Sequence, residues 1–369
     1  MINKDLTGTP SELVSLTKIP QFRIVGSKYN ILQRIYEVMV KENISGNTFF
    51  DVFSGSAVVA RFFKRKFKII SNDNLYFSYI LQRALVDLNS YPLFENLTLK
   101  PCSKIPNERI EMILDFLNAA EGIEGFVYLN YTPASKETIG IERKYFSREN
   151  GLKIDAIRLK IEEWFHEKRI TDEEYFYLLG SLLLAVQKVA NTSGTYGAFN
   201  KFWDQRSHKA LKLKFVEVIA SDFNHLAYKE NIFDLLDKVS CDIAYIDPPY
   251  NSRQYIDNYH ILETIAKYDN PEIRGITGIR KNRENEKSIF CNKGSVNNAL
   301  FELFSRLKTK YIMLSYNSEG LIQKEEILHI LRDAKVNNAK LYEFPYRRFK
   351  SNGHTESREI LEYIFTGVK

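Results

Sequence analysis

A short strand, a glycine turn, a helix and a second strand ending in an acid follow one another near the start of the chain. The apolar run Thr48 to Phe53 predicts the first strand and leads into Ser54-Gly55-Ser56. Residues 57–64 have helical spacing, and Phe67 to Ile70 predicts a second strand just before Asp73. Glycine allows close backbone approach to a ligand, and an acid about twenty residues beyond such a turn is suited to binding ribose hydroxyls. This order is typical of the opening of a nucleotide-binding α/β sheet.

The middle third of the chain has a different pattern. Helical spacing with charge on one face is found over residues 108–119, 146–166 and 172–190. No strand alternation is evident between these segments, whereas strand patterns return after residue 225. The sequence therefore predicts one domain formed by residues 1–80 and 225–369. A mostly helical insert, residues 81–224, interrupts it.

Apolar periodicity predicts the remaining elements of the domain formed by residues 1–80 and 225–369. An amphipathic helix is expected over residues 28–41. Strands are expected at His225 to Asn231, Asp242 to Asp247, Tyr311 to Tyr316, Lys340 to Phe344 and Glu359 to Phe365. The polar, basic stretch Asn270 to Gly294 is expected to be a mobile loop or disordered.

The segment Ala244 to Tyr250 is the sharpest chemical signal, because an apolar strand ends in an acid followed by two prolines and a tyrosine. An exocyclic amine on a base is a poor nucleophile, since its lone pair is conjugated into the ring. Asp247 and the carbonyl of Pro248 could accept its hydrogens, while Pro248 and Pro249 fix the backbone. Tyr250 offers a face for an extruded base. The alternative is that Asp-Pro-Pro is only a rigid turn.

Together these segments resemble the Dam-like family of DNA adenine-N6 methyltransferases, the alpha group with a DPPY motif. Gly26 to Tyr29 is similar to the GGK-type motif of that family, and Phe53 to Ser56 is similar to its FxGxG loop. Ala57 stands where the last glycine is usual. The resemblance covers roughly residues 20–80 and 225–369. It implies an α/β fold with a seven-stranded Rossmann-like methyltransferase sheet, interrupted by a mostly helical target-recognition domain.

The resemblance also implies the site residues. The residues implied to act on the substrate amine are Asp247, Pro248, Pro249 and Tyr250. Those implied to bind S-adenosylmethionine are Ile24, Lys28, Asp51, Phe53, Ser54, Gly55, Ser56, Asp73, Asn74, Asn231, Ile232 and Asp247. Asp222-Phe223 is a rival to Asn231-Ile232 for the place beside the cofactor's adenine. Tyr259 to Glu263 is similar to a segment that helps enclose the cofactor, with His260 expected to be structural.

Two further segments remain open between a functional and a structural role. Leu314 to Ser318 ends an apolar strand, so it either shapes the adenine pocket or forms an ordinary turn. In the insert, cations and amides suited to phosphates and base edges are implied to contact DNA, although each could belong to a solvated helix face. The candidates for DNA contact are Arg143, Lys144, Arg148, Tyr196, Asn200 and Lys201.

The leading hypothesis is a site-specific enzyme that methylates N6 of adenine in double-stranded DNA after flipping the base, using S-adenosylmethionine. The net charge of +6 is compatible with a polyanionic partner. A cognate restriction endonuclease is a second candidate partner, and the order of motifs is also similar to type IIS modification methylases. The alternatives are methylation of RNA or of another exocyclic amine on the same fold, and a DNA-binding protein without catalysis.

The remaining features exclude other classes of protein. Cys102, Cys241 and Cys291 have no paired spacing, so we expect neither a disulfide framework nor a metal site. The first residues lack the apolar core of a signal peptide. The apolar run Tyr175 to Val186 is too short to span a membrane. We therefore expect a cytoplasmic protein without a membrane partner.

Overall fold

The computed structural model describes residues 20, 22–99, 103, 105–346 and 360–369. The N-terminal stretch considered above, Cys102 and Glu359 lie outside these residues. The strands are β1 (Thr48–Asp51), β2 (Lys68–Asn72), β3 (Leu226–Tyr228), β4 (Ser240–Ile246), β5 (Ile273–Arg274), β6 (Ile279–Arg280), β7 (Lys308–Asn317), β8 (Asn337–Tyr346) and β9 (Ile360–Val368). The helices are α1 (Leu32–Lys41), α2 (Val58–Phe63), α3 (Tyr76–Gln82), α4 (Pro106–Ala119), α5 (Phe126–Tyr131), α6 (Ser135–Ile139), α7 (Arg148–His166), α8 (Asp172–Val189), α9 (Ile232–Leu235), α10 (Tyr255–Lys267), α11 (Val296–Arg306) and α12 (Lys324–Asp333).

A seven-stranded sheet organises the molecule, with strand order β3-β2-β1-β4-β7-β9-β8. Neighbouring strands are parallel except at β9, which is antiparallel to both β7 and β8. Strands β5 and β6 form a separate antiparallel hairpin. The predicted α/β fold with a seven-stranded Rossmann-like sheet is confirmed.

The chain reverses its direction across the sheet between β3 and β4. From β1 it moves outward through β2 to β3, and it then crosses back to place β4 on the other side of β1. Open α/β sheets bind ligands beyond the carboxyl ends of their strands at such a reversal. Asp51 is the last residue of β1, and Asp247 directly follows β4. The topology therefore brings these acids to one edge of the sheet.

The predicted helix over residues 28–41 begins as a 3-10 turn at Lys28–Ile31 and continues as α1. Its apolar side chains recur every three or four residues, which places them on one face. The buried residues of α1 are Leu32, Ile35, Val38 and Met39, as that spacing predicts. The turn before α1 buries Lys28, whose position matters for the site described below.

The described part of residues 81–224 contains α4 to α8 and no strand. Helix α8 starts with a capping box in which the side chains of Thr171 and Glu174 each accept a hydrogen bond from the other residue's backbone N–H. Buried side chains of α7 and α8 belong to the same hydrophobic cluster as Phe49 of β1 and Tyr245 of β4. The helical segment thus covers one face of the sheet and shares its core. Among the described residues, no helix is long and apolar enough to cross a membrane.

The polar stretch 270–294 differs from the expectation of a mobile loop or disorder. It contains the β5–β6 hairpin and 3-10 turns at Glu284–Glu286 and Ile289–Cys291. Its charges are paired with acids near α10, because Arg280 contacts Asp269 at 2.5 Å and Arg283 pairs with Asp257. Complementary charge therefore orders a segment whose composition alone indicates a loop.

Arg143 and Tyr196, predicted to contact DNA, are instead buried and hold loops together. The Arg143 guanidinium donates hydrogen bonds of 2.9 Å to the backbone carbonyls of Asn130, Gly275 and Ile276. The Tyr196 ring is enclosed, and its backbone carbonyl accepts a 2.8 Å hydrogen bond from the Tyr145 hydroxyl. Neither side chain is exposed to a duplex, so the prediction is corrected for these residues.

We predict that Arg143→Ala lowers the free energy of unfolding by about 2 kcal/mol, because charge-assisted hydrogen bonds to three carbonyls are lost. Lys144→Ala is the matched control. Lys144 is the next residue and also a cation, but its side chain is partly exposed, so its loss should lower the free energy of unfolding by less than about 0.5 kcal/mol. Equilibrium urea unfolding measures both changes. Equal stability of the two variants would contradict the structural role of Arg143.

Candidate active site

A cleft opens at the carboxyl edge of β1, β2, β3 and β4, with a cavity volume of about 230 Å³. It brings together all the residues that the sequence predicted for the cofactor. Those lining residues are Ile24, Lys28, Asp51, Phe53, Ser54, Gly55, Ser56, Asp73, Asn74, Asn231, Ile232 and Asp247. Pro249 also lines the cleft, whereas Asp222, the rival of Asn231, does not.

The floor of the cleft is the turn between β1 and α2. Gly55 has a φ of 52°, and a Cβ added there would meet no atom within 4 Å, so the backbone is open to a ligand. Ala57 has a φ of 60° and adopts the left-handed conformation that glycine favours. The turn closes through a 2.7 Å hydrogen bond from the Ala57 N–H to the Ser54 carbonyl. Ala57 therefore preserves the backbone path of a glycine-rich loop at a cost in strain.

Two acids stand on either side of this turn. Asp73 accepts hydrogen bonds from the backbone N–H groups of Gly55 at 2.8 Å and Leu75 at 3.0 Å. Asp51 accepts a 3.1 Å hydrogen bond from the Ser54 hydroxyl. Burial raises the pKa of Asp51 to about 7 and also raises the pKa of Asp73. The floor of the cleft thus carries two buried carboxyl groups, which are suited to a ligand with hydroxyl donors and whose ionised forms a positive charge would stabilise.

An aromatic wall faces the acids. Phe53 meets Phe290 edge-on with ring centroids 5.1 Å apart, and Phe233 stacks on Phe290 at 5.9 Å. Asn231 caps the short helix α9 by accepting a hydrogen bond from the Phe233 N–H. Ile232 follows Asn231 in the lining. Flat rings around a narrow cleft are suited to stacking a planar heterocycle.

The reactive end of the cleft is an ion cluster. The ammonium of Lys28 lies 3.1 Å from Asp247 Oδ1 and 3.5 Å from Glu362 Oε2. Burial opposes the charge on Lys28, but these carboxylates outweigh it and place its pKa well above the ordinary value. Burial also raises the pKa of Asp247 to about 6, although Lys28 opposes the increase. At neutral pH Asp247 is therefore largely ionised and able to accept hydrogen bonds.

Tyr250 is packed beside this cluster. Its ring lies 5.2 Å from the Lys28 ammonium and meets the ring of Tyr316 edge-on at 5.9 Å. Gly26 has a φ of 82°, and a Cβ there would lie 2.9 Å from the Tyr250 hydroxyl oxygen. The motif glycine is therefore required for both its backbone angle and the position of the tyrosine. Tyr316 belongs to the strand end Leu314 to Ser318, which does border this part of the site.

The segment before α1 is held against α10. The Val25 N–H donates to the Tyr259 hydroxyl at 2.6 Å, and the Tyr255 hydroxyl donates to the Val25 carbonyl at 3.1 Å. Glu263 accepts 3.0 Å hydrogen bonds from the N–H groups that begin α3. His260 is fully buried, with each ring nitrogen 2.9 Å from a backbone carbonyl oxygen, in keeping with a structural role.

The remaining predicted DNA residues lie outside the cleft. Arg148 is partly exposed and pairs with Glu137, and Lys144 lies 3.6 Å from Glu142. Asn200 donates its backbone N–H to the Asn191 carbonyl at 3.0 Å. Lys201 is exposed. These side chains occupy surfaces open to a ligand but are not gathered into one cluster with the acids.

Two residues at or beside the site, Phe290 and Glu362, and one exposed aromatic residue outside the cleft, Phe202, were not found from the sequence. Phe290 lies in the polar stretch that was predicted to be a loop. The apolar pair Ile289-Phe290 near the end of that stretch is a local signal of a buried position. Glu362 is an acid inside an otherwise apolar strand, and such an acid is buried only when it has a partner. Phe202 beside Lys201 is 86% exposed, and no pattern marks an isolated aromatic as a surface contact.

The chain has a Rossmann-like methyltransferase fold. Its mostly parallel sheet reverses strand order at β1, and the cleft there combines an open glycine turn after β1, an acid after β2 and Asp-Pro-Pro-Tyr after β4. Residues 25–330 match the family model described as D12 class N6 adenine-specific DNA methyltransferase. The chain belongs to this family. The resemblance to Dam-like enzymes drawn from the motifs is therefore confirmed.

Named relatives agree with the family. The chain is 42% identical over 350 residues to the type II methyltransferase M.FokI of Planomicrobium okeanokoites, covering 93% of the chain and 52% of that protein. It is 36% identical over 349 residues to the modification methylase StsI of Streptococcus sanguinis, covering 93% and 51%. It is 36% identical over 348 residues to M.NlaIII of Neisseria lactamica, covering 92% and 97%. The chain thus spans about half the length of the first two relatives and nearly all of the third.

We predict that Ala57→Gly changes the free energy of unfolding by less than about 1 kcal/mol, since relief of left-handed strain offsets the lost methyl group and the added chain entropy. Ala60→Gly is the matched control. Ala60 is equally buried but lies inside α2, so its replacement should cost about 2 kcal/mol. Urea unfolding of both variants tests the difference, and equal losses would argue against strain at Ala57.

Proposed function

We propose that this chain transfers a methyl group from S-adenosylmethionine to the N6 amino group of adenine at a specific site in double-stranded DNA. The observation that carries the proposal is the placement of Asp247 and Pro248 directly beyond β4, beside a cleft with an acidic floor and an aromatic wall. Family membership supports methylation of adenine in DNA.

The cleft fits S-adenosylmethionine as the methyl donor. Asp73 would hold the ribose hydroxyls, and Phe53, Ile232 and Phe290 would enclose the adenine ring. Gly55 leaves room for close approach because no atom lies near its missing side chain. The acidic floor and Asp247 favour a cationic ligand such as a sulfonium. When bound, the cofactor supplies an electrophilic methyl group, and the protein supplies position and charge.

Asp247 and Pro248 would prepare the substrate amine. The Asp247 carboxylate accepts one N–H hydrogen and the Pro248 carbonyl accepts the other, which draws the nitrogen lone pair out of conjugation. Pro248 and Pro249 fix the backbone, so the carbonyl is held in place before the substrate arrives. Such preorganised acceptors stabilise the positive charge that develops on nitrogen during transfer. Tyr250 is the proposed stacking partner of the flipped adenine.

The surface next to the cleft is suited to DNA. The Tyr196 N–H donates to the Asn258 carbonyl at 2.6 Å, which anchors residues 191–204 to α10. The Tyr145 hydroxyl contacts the carbonyls of both Tyr196 and Thr277, so this loop and the β5–β6 hairpin are neighbours. Lys144, Arg148, Asn200 and Lys201 remain proposed DNA contacts, and exposed Phe202 is added to them as an apolar contact to bases. Cations would supply affinity through phosphates.

The relatives named as modification methylases support a cognate restriction endonuclease as a further partner, and a DNA substrate supports action in the cytoplasm.

The decisive experiment incubates the purified chain with tritiated S-adenosylmethionine and either duplex DNA or structured RNA, followed by nucleoside mass spectrometry. The proposal expects N6-methyladenine in DNA alone. Methylated RNA, a methylated cytosine or guanine, or specific DNA binding without methyl transfer would each contradict it.

We predict that Asp247→Ala lowers kcat by at least about 100-fold, because a preorganised acceptor of the amine is removed. DNA affinity at fixed salt should be nearly unchanged, since phosphate contacts supply most of it. Asp237→Ala is the control, because Asp237 is exposed, pairs with Arg306 and does not line the cleft. Single-turnover methylation and a filter-binding titration measure the two quantities. A parallel loss of affinity and rate would contradict the assigned role.

We predict that kcat/KM for DNA falls as the pH is lowered through about 6. Burial raises the pKa of Asp247 to about 6, so protonation below that pH converts the acceptor into a donor that cannot hold the amine hydrogen. An exposed aspartate would produce this decline only at much lower pH. Rates measured between pH 5 and pH 8.5 at constant ionic strength would show it. A profile flat down to pH 5 would exclude Asp247 as the titrating group.

A further inference from the structure

Glu362 reaches the reactive end of the cleft from a strand that no motif of the site includes. It lies on β9, where it pairs in register with Asn317, the last residue of β7. Its carboxylate oxygen Oε2 is 3.5 Å from the Lys28 ammonium, which also contacts Asp247 at 3.1 Å. Glu362 and Lys28 are 5% and 3% exposed. One buried cation therefore has carboxylate partners on both β9 and the segment after β4.

The cluster is charged but incompletely bonded. Lys28 Nζ, Asp247 Oδ1 and Glu362 Oε2 are buried, and among the residues that the structure describes the two carboxylate oxygens are held only by their ion pairs with the Lys28 ammonium. Buried carboxylate oxygens normally accept hydrogen bonds, so oxygens held by one shared cation alone keep the capacity to accept a hydrogen from an incoming group. The cluster carries two carboxylates and one ammonium, which leaves a net negative charge to meet a cationic ligand.

With Asp247 as its only partner, Lys28 would compete with the substrate. The ammonium would hold the carboxylate oxygen that the amine needs, and release of that oxygen would leave a buried cation unpaired, which is costly. A second carboxylate removes this conflict, because Lys28 stays paired when Asp247 turns toward the amine.

Resting on the function proposed above, we propose that Glu362 is a positioning residue that retains Lys28 and so frees the Asp247 carboxylate to accept the amino hydrogen of the target base. Glu362 does not touch the reacting atoms and acts mainly through Lys28. Its charge also acts on Asp247 directly: after burial, which dominates, and Lys28, which opposes, Glu362 adds to the rise in the pKa of Asp247. The ionisable groups facing Asp247 are Lys28, Asp51, Tyr245, Tyr255 and Glu362.

The test compares Glu362→Gln with Glu343→Gln in the full chain. Glu343 lies on the neighbouring strand β8, where it is exposed and pairs with Lys324. For Glu362→Gln we expect kcat to fall about tenfold, with KM for DNA unchanged. The acidic limb of the pH profile should move to lower pH, because a negative charge beside Asp247 is lost. Glu343→Gln should match the unaltered chain in all three quantities.

A second comparison decides the case even where Glu362→Gln fails to fold. In the background of Lys28→Met, adding Glu362→Gln should change the single-turnover rate by less than about twofold, since the residue acts through Lys28. A further tenfold loss there, or an unchanged kcat and pH profile in folded Glu362→Gln, would overturn the inference while methylation by the unaltered chain stands. Absence of methylation by the unaltered chain would instead overturn the proposed function itself.

Discussion

The side-by-side ends of β1 and β4 are the constraint on which the site depends. Because the chain turns outward from β1 and later returns to its other side, the crossover connections that the structure describes lead away from the gap between these strands. Asp51 and Asp247 both emerge there, and burial raises the pKa of each. After burial, the charge of Asp247 adds to the rise in the pKa of Asp51, so a nearby cation lowers the cost of ionising both acids. Lys28, in the turn before α1, supplies one such cation, and the proposed cationic cofactor would supply another.

Sequence reasoning found the sheet and the cleft because both depend on local patterns. Apolar runs that end in glycine or an acid predict strand ends, so the residues from Ile24 to Asp247 proposed for the cofactor all line one cavity. Arg143 could not be interpreted this way, since a cation in a basic segment looks the same whether its partner is a phosphate or a backbone carbonyl. Glu362 reaches the site only through tertiary packing, and its immediate neighbours in sequence do not reveal it. Phe290 is marked only by the short apolar pair that it forms with Ile289.

The helical insert and the catalytic sheet are one packed body rather than separate modules joined by a linker. Helices α7 and α8 share a core with β1 and β4, so the loop after α8 has a defined place beside α10. The Tyr145 hydroxyl then connects this loop to the β5–β6 hairpin. A proposed DNA surface built in this way would be positioned relative to Asp247 by the core itself. Flipping a base into a fixed cleft requires that the DNA-binding surface keep a constant position relative to that cleft.

The thiols bear on which atom of a base can accept the methyl group. Methylation of a ring carbon requires a nucleophile that first adds to the ring, and a thiolate is suited to that task. Burial raises the pKa of Cys241 to about 11 and that of Cys291 to about 12, so the two cysteines that the structure describes are neutral thiols. An exocyclic nitrogen needs no covalent activation, only acceptors for its hydrogens. The hydrogen-bond acceptors beyond β4 match that simpler requirement, which favours a nitrogen target over a carbon one.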